Sequence, residues 1–297
     1  MNRMREVEGR VVDVESNALA RASLGILAAF MVVAILPLAR WSIHAGSWAP
    51  LAIHVLALAA VVHIGWSARV PRTVRAWTPL AFIPLLYVEL RWIIAGAGRL
   101  HADALIAGWD IRLFGSEPSR TLALRWPSLA LSELLHLCYL AYYAIVYVPP
   151  ALLWWKSRHR AFAATVFAIV VMYVLCFIAF VILPVEGPRF LVGPSAAPDG
   201  PIRSIVLQIL GVGSSRGTAF PSAHVAASVV AGISALRFQR ALGVAILVIT
   251  AGMMIGAVYG GYHYAVDVIA GMAMGVGAAA LARAAERFIV ARSTTRR

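Results

Sequence analysis

The chain is poor in charge. Only 13% of its 297 residues are Asp, Glu, Lys or Arg, while 61% are hydrophobic. Soluble domains carry about a quarter charged residues, so this composition excludes an ordinary soluble domain and points to a membrane protein. Cysteine is equally scarce. Cys138 and Cys176 both fall within long apolar runs, where each is expected to pack as a small apolar residue, and no disulfide framework is implied. No metal-ligand spacing such as HExxH occurs, and there is no internal repeat or low-complexity tract. Acidic residues number 13 against 26 basic ones. The basic residues stand in short clusters between apolar runs, as helix flanks do beside anionic headgroups; nucleic-acid binding, which needs a continuous basic face, is not expected. The N-terminal MNRMREVEGRVVDVESNALARA lacks the ordered parts of a secretory signal, so the first apolar run is expected to stay as a membrane helix.

What the chain does have is apolar length. Runs near the roughly 20 residues needed to cross the hydrocarbon layer occur at 22–39, 50–66, 78–97, 129–154, 161–183, 222–238, 241–259 and 264–284. The expected fold is an all-α integral membrane protein with about eight crossings, of which 222–238 and 241–259 form a tight antiparallel hairpin. Two connections are long: 98–128, read as interfacial with a short amphipathic stretch, and the Pro/Gly-rich 184–221, a length that usually signals function. With eight crossings, 17 basic residues fall on the side of the termini and eight on the other, Arg91 lying within a run. The positive-inside bias then predicts cytoplasmic termini in a multi-pass plasma-membrane protein, with 184–221 outside.

His224 opens the sixth crossing in "FPSAHVA", and "YGGYHYAVDVIAG" opens the eighth, with His263 and Asp267 four residues apart on one helix face. Both helices begin on the outer side, so the three side chains can converge, with Arg189 and Arg216 of the long loop above them. Singly, each of these residues reads as a satisfied polar anchor. Together they suit phosphoryl transfer: a carboxylate-held imidazole as nucleophile, a second imidazole as acid, and guanidiniums and helix N-termini neutralising phosphate charge. Neither metal nor cofactor is required.

The two quoted stretches resemble the second and third signature motifs of the type 2 phosphatidic acid phosphatase superfamily, over roughly residues 78–287. The resemblance implies a six-helix membrane core and a phosphohistidine intermediate, with His263 as nucleophile, Asp267 as its orienting partner and His224 as general acid. Ser222 and the backbone beside it, at Ala223, would line the phosphate pocket with Arg189 and Arg216. It also implies three parts: residues 1–77, an N-terminal cytoplasmic segment with two extra crossings; 78–287, the catalytic core; and 288–297, a basic cytoplasmic tail. The chain departs from the pattern at Ala257, where the third motif has arginine, at Ile182, where the first has lysine, and at Ala223, where the second has glycine. A third motif without arginine, and the stretch DIRLFGSEPS at 110–119, look more like the inositol phosphorylceramide synthase branch. That branch moves a phosphorylated headgroup from a phospholipid to a lipid alcohol. A plain lipid phosphatase, acting on phosphatidate or an isoprenyl diphosphate, is the alternative, and a non-catalytic lipid-binding protein of the same fold is a third.

Two further features read either way. Glu89 and Arg91 either offset each other or line the cavity, with the cavity favoured. Glu133, His136, Tyr139 and Tyr143 form one stripe on the fourth crossing, either a hydrogen-bonded seam or an acceptor-binding wall.

Overall fold

In bilayer, every backbone polar group must be satisfied within the protein, and the chain meets this with helices alone. The computed structural model describes residues 2–295, with side chains for 12–292. Arg3, Arg5, Arg10, Arg296 and Arg297, counted above toward the side of the termini, therefore have side chains outside the described residues. Thirteen helices follow in order: α1 Asn2–Ala45, α2 Ala49–Trp66, α3 Arg72–Ala97, α4 Asp103–Phe114, α5 Pro118–Arg125, α6 Leu129–Leu140, α7 Tyr142–Trp155, α8 His159–Ile182, α9 Pro188–Val192, α10 Pro201–Gly213, α11 Ala223–Phe238, α12 Arg240–Tyr259 and α13 Ala265–Thr295. No strand occurs among the described residues, only an isolated bridge between Val185 and Thr218.

Six helices (α1, α2, α3, α8, α12 and α13) are long and apolar enough to span a bilayer. The expected fourth crossing is instead a broken one: α6 and α7 meet at a bend of 41° around Ala141. Taken as one span, the pair makes seven. The expected sixth crossing, α11, has 16 residues. At 1.5 Å per residue it reaches about 24 Å, short of the roughly 30 Å hydrocarbon layer. Gln239 alone joins it to the 20-residue α12, so the two form the expected hairpin and share one level at that end. The N-terminus of α11 must then lie about 6 Å below the far end of its neighbour. That recess is where the site forms.

α8 is the central pillar. It is apolar all round and is buried continuously from Ala161 to Val174 among α1, α3, α7, α11 and α13. Helix α1 packs along α3 and α8, so the N-terminal helices join the same body as the rest. Both cysteines are free thiols.

Several charged groups inside this apolar body are paired, and one pairing corrects an expectation. Glu89 does not face a substrate cavity: its carboxylate accepts from His54 Nδ1 at 2.6 Å, while His54 Nε2 lies 2.9 Å from the Met31 carbonyl. Both side chains are buried, so the triplet ties α1, α2 and α3 together. Arg91 is exposed and, among the described residues, donates to the Val88 carbonyl. Toward the end holding the hairpin turn, Glu286 receives a two-pronged hydrogen bond from Arg237 at 2.5 and 3.0 Å and lies 3.5 Å from Arg160, which also pairs with Glu15. Charged groups in a membrane body are costly unless matched, and these are matched.

Replacing His54 by Ala strands the Glu89 carboxylate in an apolar interface. The expected loss is about 1–3 kcal/mol, the usual cost of an unsatisfied buried group, read as a lower Tm in detergent. An unchanged Tm would show that the buried pair does not hold the three helices.

Candidate active site

The site is assembled where the first turns of α11 and α13 touch. Ser222 caps α11, its hydroxyl accepting from the Val225 amide, and its own amide donates to the Asp267 carbonyl at 2.9 Å. The helices come this close because α13 carries glycine at the contacts. A Cβ at Gly271 would lie 2.5 Å from the Ser222 carbonyl oxygen, and one at Gly275 2.7 Å from that of Ala226. This is the small-xxx-small spacing by which membrane helices approach.

That contact sets the histidines. His263 stands in the turn before α13, with Nδ1 3.4 Å from Asp267 Oδ2 and Nε2 3.3 Å from the Ser222 hydroxyl. The same Asp267 oxygen accepts from the Tyr264 amide at 2.8 Å, while Oδ1 has no partner among the described residues. A carboxylate beside Nδ1 fixes the tautomer with the proton there and leaves the Nε2 lone pair toward Ser222. His224 sits one residue into α11, gripped between two tyrosine rings: Tyr139 stacked at 4.9 Å and Tyr142 tilted at 4.2 Å. The Tyr139 hydroxyl is 3.4 Å from His224 Nε2, and the two imidazoles face each other edge-on at 6.2 Å. The bend between α6 and α7 brings both tyrosines to this one ring.

Between them is a pocket of about 40 Å³ whose lining includes His224, His263, Ala223, Arg189, Tyr139 and Tyr262. Arg189 comes from α9. Its approach depends on Gly187, whose φ of +90° is left-handed backbone and whose Cβ would crowd the Ala219 side chain and the Tyr262 carbonyl, each at 3.1 Å. The guanidinium donates to the Ser214 hydroxyl at 2.6 Å.

The residues expected from the sequence are thus partly brought together. His224, His263, Asp267, Ser222, Ala223 and Arg189 meet. Arg216 does not: its guanidinium is turned away onto Glu186 at 2.9 Å and its side chain is 63% exposed, outside the pocket lining. The positions of the missing cations offer no replacement. Ala257 is buried, its carbonyl closing the turn by accepting from the Tyr262 and His263 amides, and Ile182 lines an apolar groove between α1 and α8.

Sequence reasoning did not single out Tyr262. Its buried hydroxyl lines the pocket without a partner among the described residues, and burial pushes its pKa up, so it stays a donor. The phenol beside the motif histidine was the available signal. The polar stripe on α6 divides. Glu133 accepts from the Ile202 and Arg203 amides and so caps α10, and His136 Nδ1 lies 2.6 Å from the Ser132 carbonyl. Tyr143 is exposed, while Tyr139 reaches the pocket.

Two aspartates of α4 serve as supports. Asp110 accepts from the Ala265 and Val266 amides at 3.0 and 2.9 Å, holding the α13 N-terminus from outside that helix. Burial raises its pKa, against the pull of those two donors. Asp103 accepts from the Glu186 and Gly187 amides, fixing the loop that leads to Arg189.

Apolar helices thus enclose a paired-histidine pocket at two helix N-termini. The sequence profile of the PAP2 superfamily matches residues 122–281, more than half of the chain, and the protein belongs to that superfamily, whose members are generally phosphatases or phosphotransferases. No curated protein and no solved structure matches it. Asp103 and Asp110 lie upstream of the matched segment, yet they bear directly on it.

Removing the Asp110 cap with Asp110→Ala is expected to speed hydrogen exchange at Ala265 and Val266 by about tenfold, the equivalent of about 1.4 kcal/mol. Asp110→Asn, which keeps one acceptor oxygen, should do less. Equal protection in all three proteins would show that Asp110 does not hold this turn.

Proposed function

We propose that the protein is a metal-independent lipid phosphotransferase or phosphatase working through a phosphohistidine on His263. The observation that carries this reading is the pairing of His263 Nδ1 with Asp267, which leaves Nε2 as a nucleophile at the pocket wall. Nε2 attacks phosphorus, the bond from phosphorus to the leaving oxygen breaks, and His224 gives that oxygen its proton. The acceptor then attacks the phosphohistidine and returns a proton to His224. Among the described residues nothing anionic touches His224, so the bound phosphate itself supplies the charge that favours its protonated form. Arg189, the Tyr262 hydroxyl and the N-termini of α11 and α13 receive the phosphate oxygens. Ser222, whose hydroxyl faces the Nε2 lone pair, releases it as the phosphate enters.

Within this chemistry we favour transfer of a phosphorylated headgroup from a phospholipid to a lipid alcohol, as in the inositol phosphorylceramide synthase branch. Two features support it. The position of the third-motif arginine is a buried alanine, and the stretch containing Asp110 is built into the support of α13. The plain phosphatase reading differs in both partners: the donor is a phosphomonoester such as phosphatidate, or a diphosphate, and water takes the place of the alcohol, so free phosphate is released. The purified protein is to be given labelled phospholipid with and without ceramide or diacylglycerol. A new labelled lipid formed only with the acceptor supports transfer; free phosphate as the sole product identifies a phosphatase.

His263→Ala should abolish turnover. His224→Ala should cost about 10²–10⁴-fold with an alkyl leaving group and far less with an aryl phosphate, whose leaving oxygen needs little protonation. Equal losses on both substrates would remove the acid role. Asp267→Asn should fold normally and lose orders of magnitude in kcat.

The positive-inside bias supports a site on the outer face of the plasma membrane with cytoplasmic termini. In intact cells a cysteine at exposed Ala196 should react with an impermeant thiol reagent and one at Arg158 should not. Labelling at 158 alone would put the chemistry in the cytoplasm.

A further inference from the structure

Helix α10 has three distinct faces. Arg203, Val206 and Leu210 recur at helical spacing, are all buried, and pack toward α6. Ser204, Gln208 and Gly211 make a second stripe at i, i+4 and i+7, small or polar and exposed throughout. Ile205, Ile209 and Val212 make a third with the same spacing. It is apolar, yet Ile205 is 46% and Val212 86% exposed. Leu191 and Val192, at the end of α9, are exposed too. The one charged side chain of α10, Arg203, lies on the buried face.

A buried stripe, a polar stripe and a bare apolar stripe on one helix suit a boundary between protein, water and hydrocarbon. The surface beside α10 already faces lipid. Glu133, which receives the first amides of α10, stands on α6, in the outer half of the broken span. Leu137, one turn further along that face of α6, and the nearby Leu134 are both exposed. The bare stripe therefore continues a face of the bilayer-spanning body. The far end of α10 reaches the reaction pocket: Leu210 and Ser214 line it, and the Ser214 hydroxyl receives Arg189 while donating to the Leu210 carbonyl.

We propose that α10 is an interfacial helix whose Ile205, Ile209 and Val212 stripe is seated in the headgroup–acyl boundary of the protein's own bilayer, and that this lipid contact steadies the Leu210–Ser214 wall of the pocket. Interfacial helices bind through buried apolar area and through cations that meet anionic lipid. The outward faces of α10 carry no cation, so apolar burial alone holds it and zwitterionic lipid suffices. Neither statement depends on the chemistry at His263.

The test places single nitroxides at Ser204, Ile205, Gln208 and Val212, through cysteines in a Cys138→Ala/Cys176→Ala background, in phosphatidylcholine nanodiscs. Relaxation by oxygen, which concentrates in hydrocarbon, is compared with relaxation by a water-soluble nickel chelate. Labels at 205 and 212 should favour oxygen, and those at 204 and 208 nickel. Nickel access at all four sites overturns the proposal. So does shielding of 205 and 212 from both reagents, which would make a second copy or another protein the occupant. Hydrogen exchange at the Ser214 amide, bonded to the Leu210 carbonyl, reads the second statement. Ile205→Asp/Val212→Asp should speed it by about tenfold in the same nanodiscs, while Ser204→Asp/Gln208→Asp, with the same charge on the water side, should stay within about twofold of the unsubstituted protein. Equal rates in all three proteins would show that the lipid contact does not hold the pocket wall.

Discussion

Everything at the site hangs on how closely α13 approaches α11. The Ser222 carbonyl and the Gly271 backbone are near enough to exclude even a methyl group, and the Ser222 amide reaches the Asp267 carbonyl across the same gap. Without that contact His263 would lose Ser222, and the two imidazoles would not share a pocket. Helices in lipid gain little from apolar burial against one another, so van der Waals fit at small residues must supply the association. The pair Gly271 and Gly275 provides it here, and the short α11 places the resulting site below the level of its longer neighbour.

The carboxylates show what the fold does with scarce charge. Asp103, Asp110 and Glu133 all accept backbone amides: at the loop before Arg189, at the start of α13 and at the start of α10. Each closes a donor pair that a helix terminus or tight loop leaves open. Asp267 does the same for Tyr264 and also faces His263, so one side chain sets both the turn and the imbalance between the two ring nitrogens. Three cations face two cavities: Arg189 lines the reaction pocket, and Arg91 and Arg99 line a hollow beside it.

Much of this was legible in the sequence because apolar length and i, i+4 spacing are local signals. The crossings at 161–183, 241–259 and 264–284 reappear as α8, α12 and α13; His263 and Asp267 meet as expected, though His263 stands in the turn before α13 and not on its helical face. What was not legible depended on partners far along the chain. Glu89 beside Arg91 gave no hint of His54, 35 residues earlier and on another helix. The division of the α6 stripe between capping and the pocket depended on where α10 docks. The break at Ala141 has no proline at the hinge to announce it, since Pro149 and Pro150 lie further along α7. Arg189 and Arg216 looked equivalent in the loop, and only the fold of Gly187 on one side and the charge of Glu186 on the other separates them.

The central claim is that His263 carries the transferred group covalently, held ready by Asp267. It is tested most directly by quenching the His224→Ala protein in alkali during reaction with a labelled aryl phosphate and mapping the label by peptide mass spectrometry. With the acid removed and an activated leaving group supplied, the intermediate should form and then be slow to discharge. The account predicts an acid-labile, alkali-stable label on the peptide containing His263. Turnover without any such label, or a label on another residue, would contradict it.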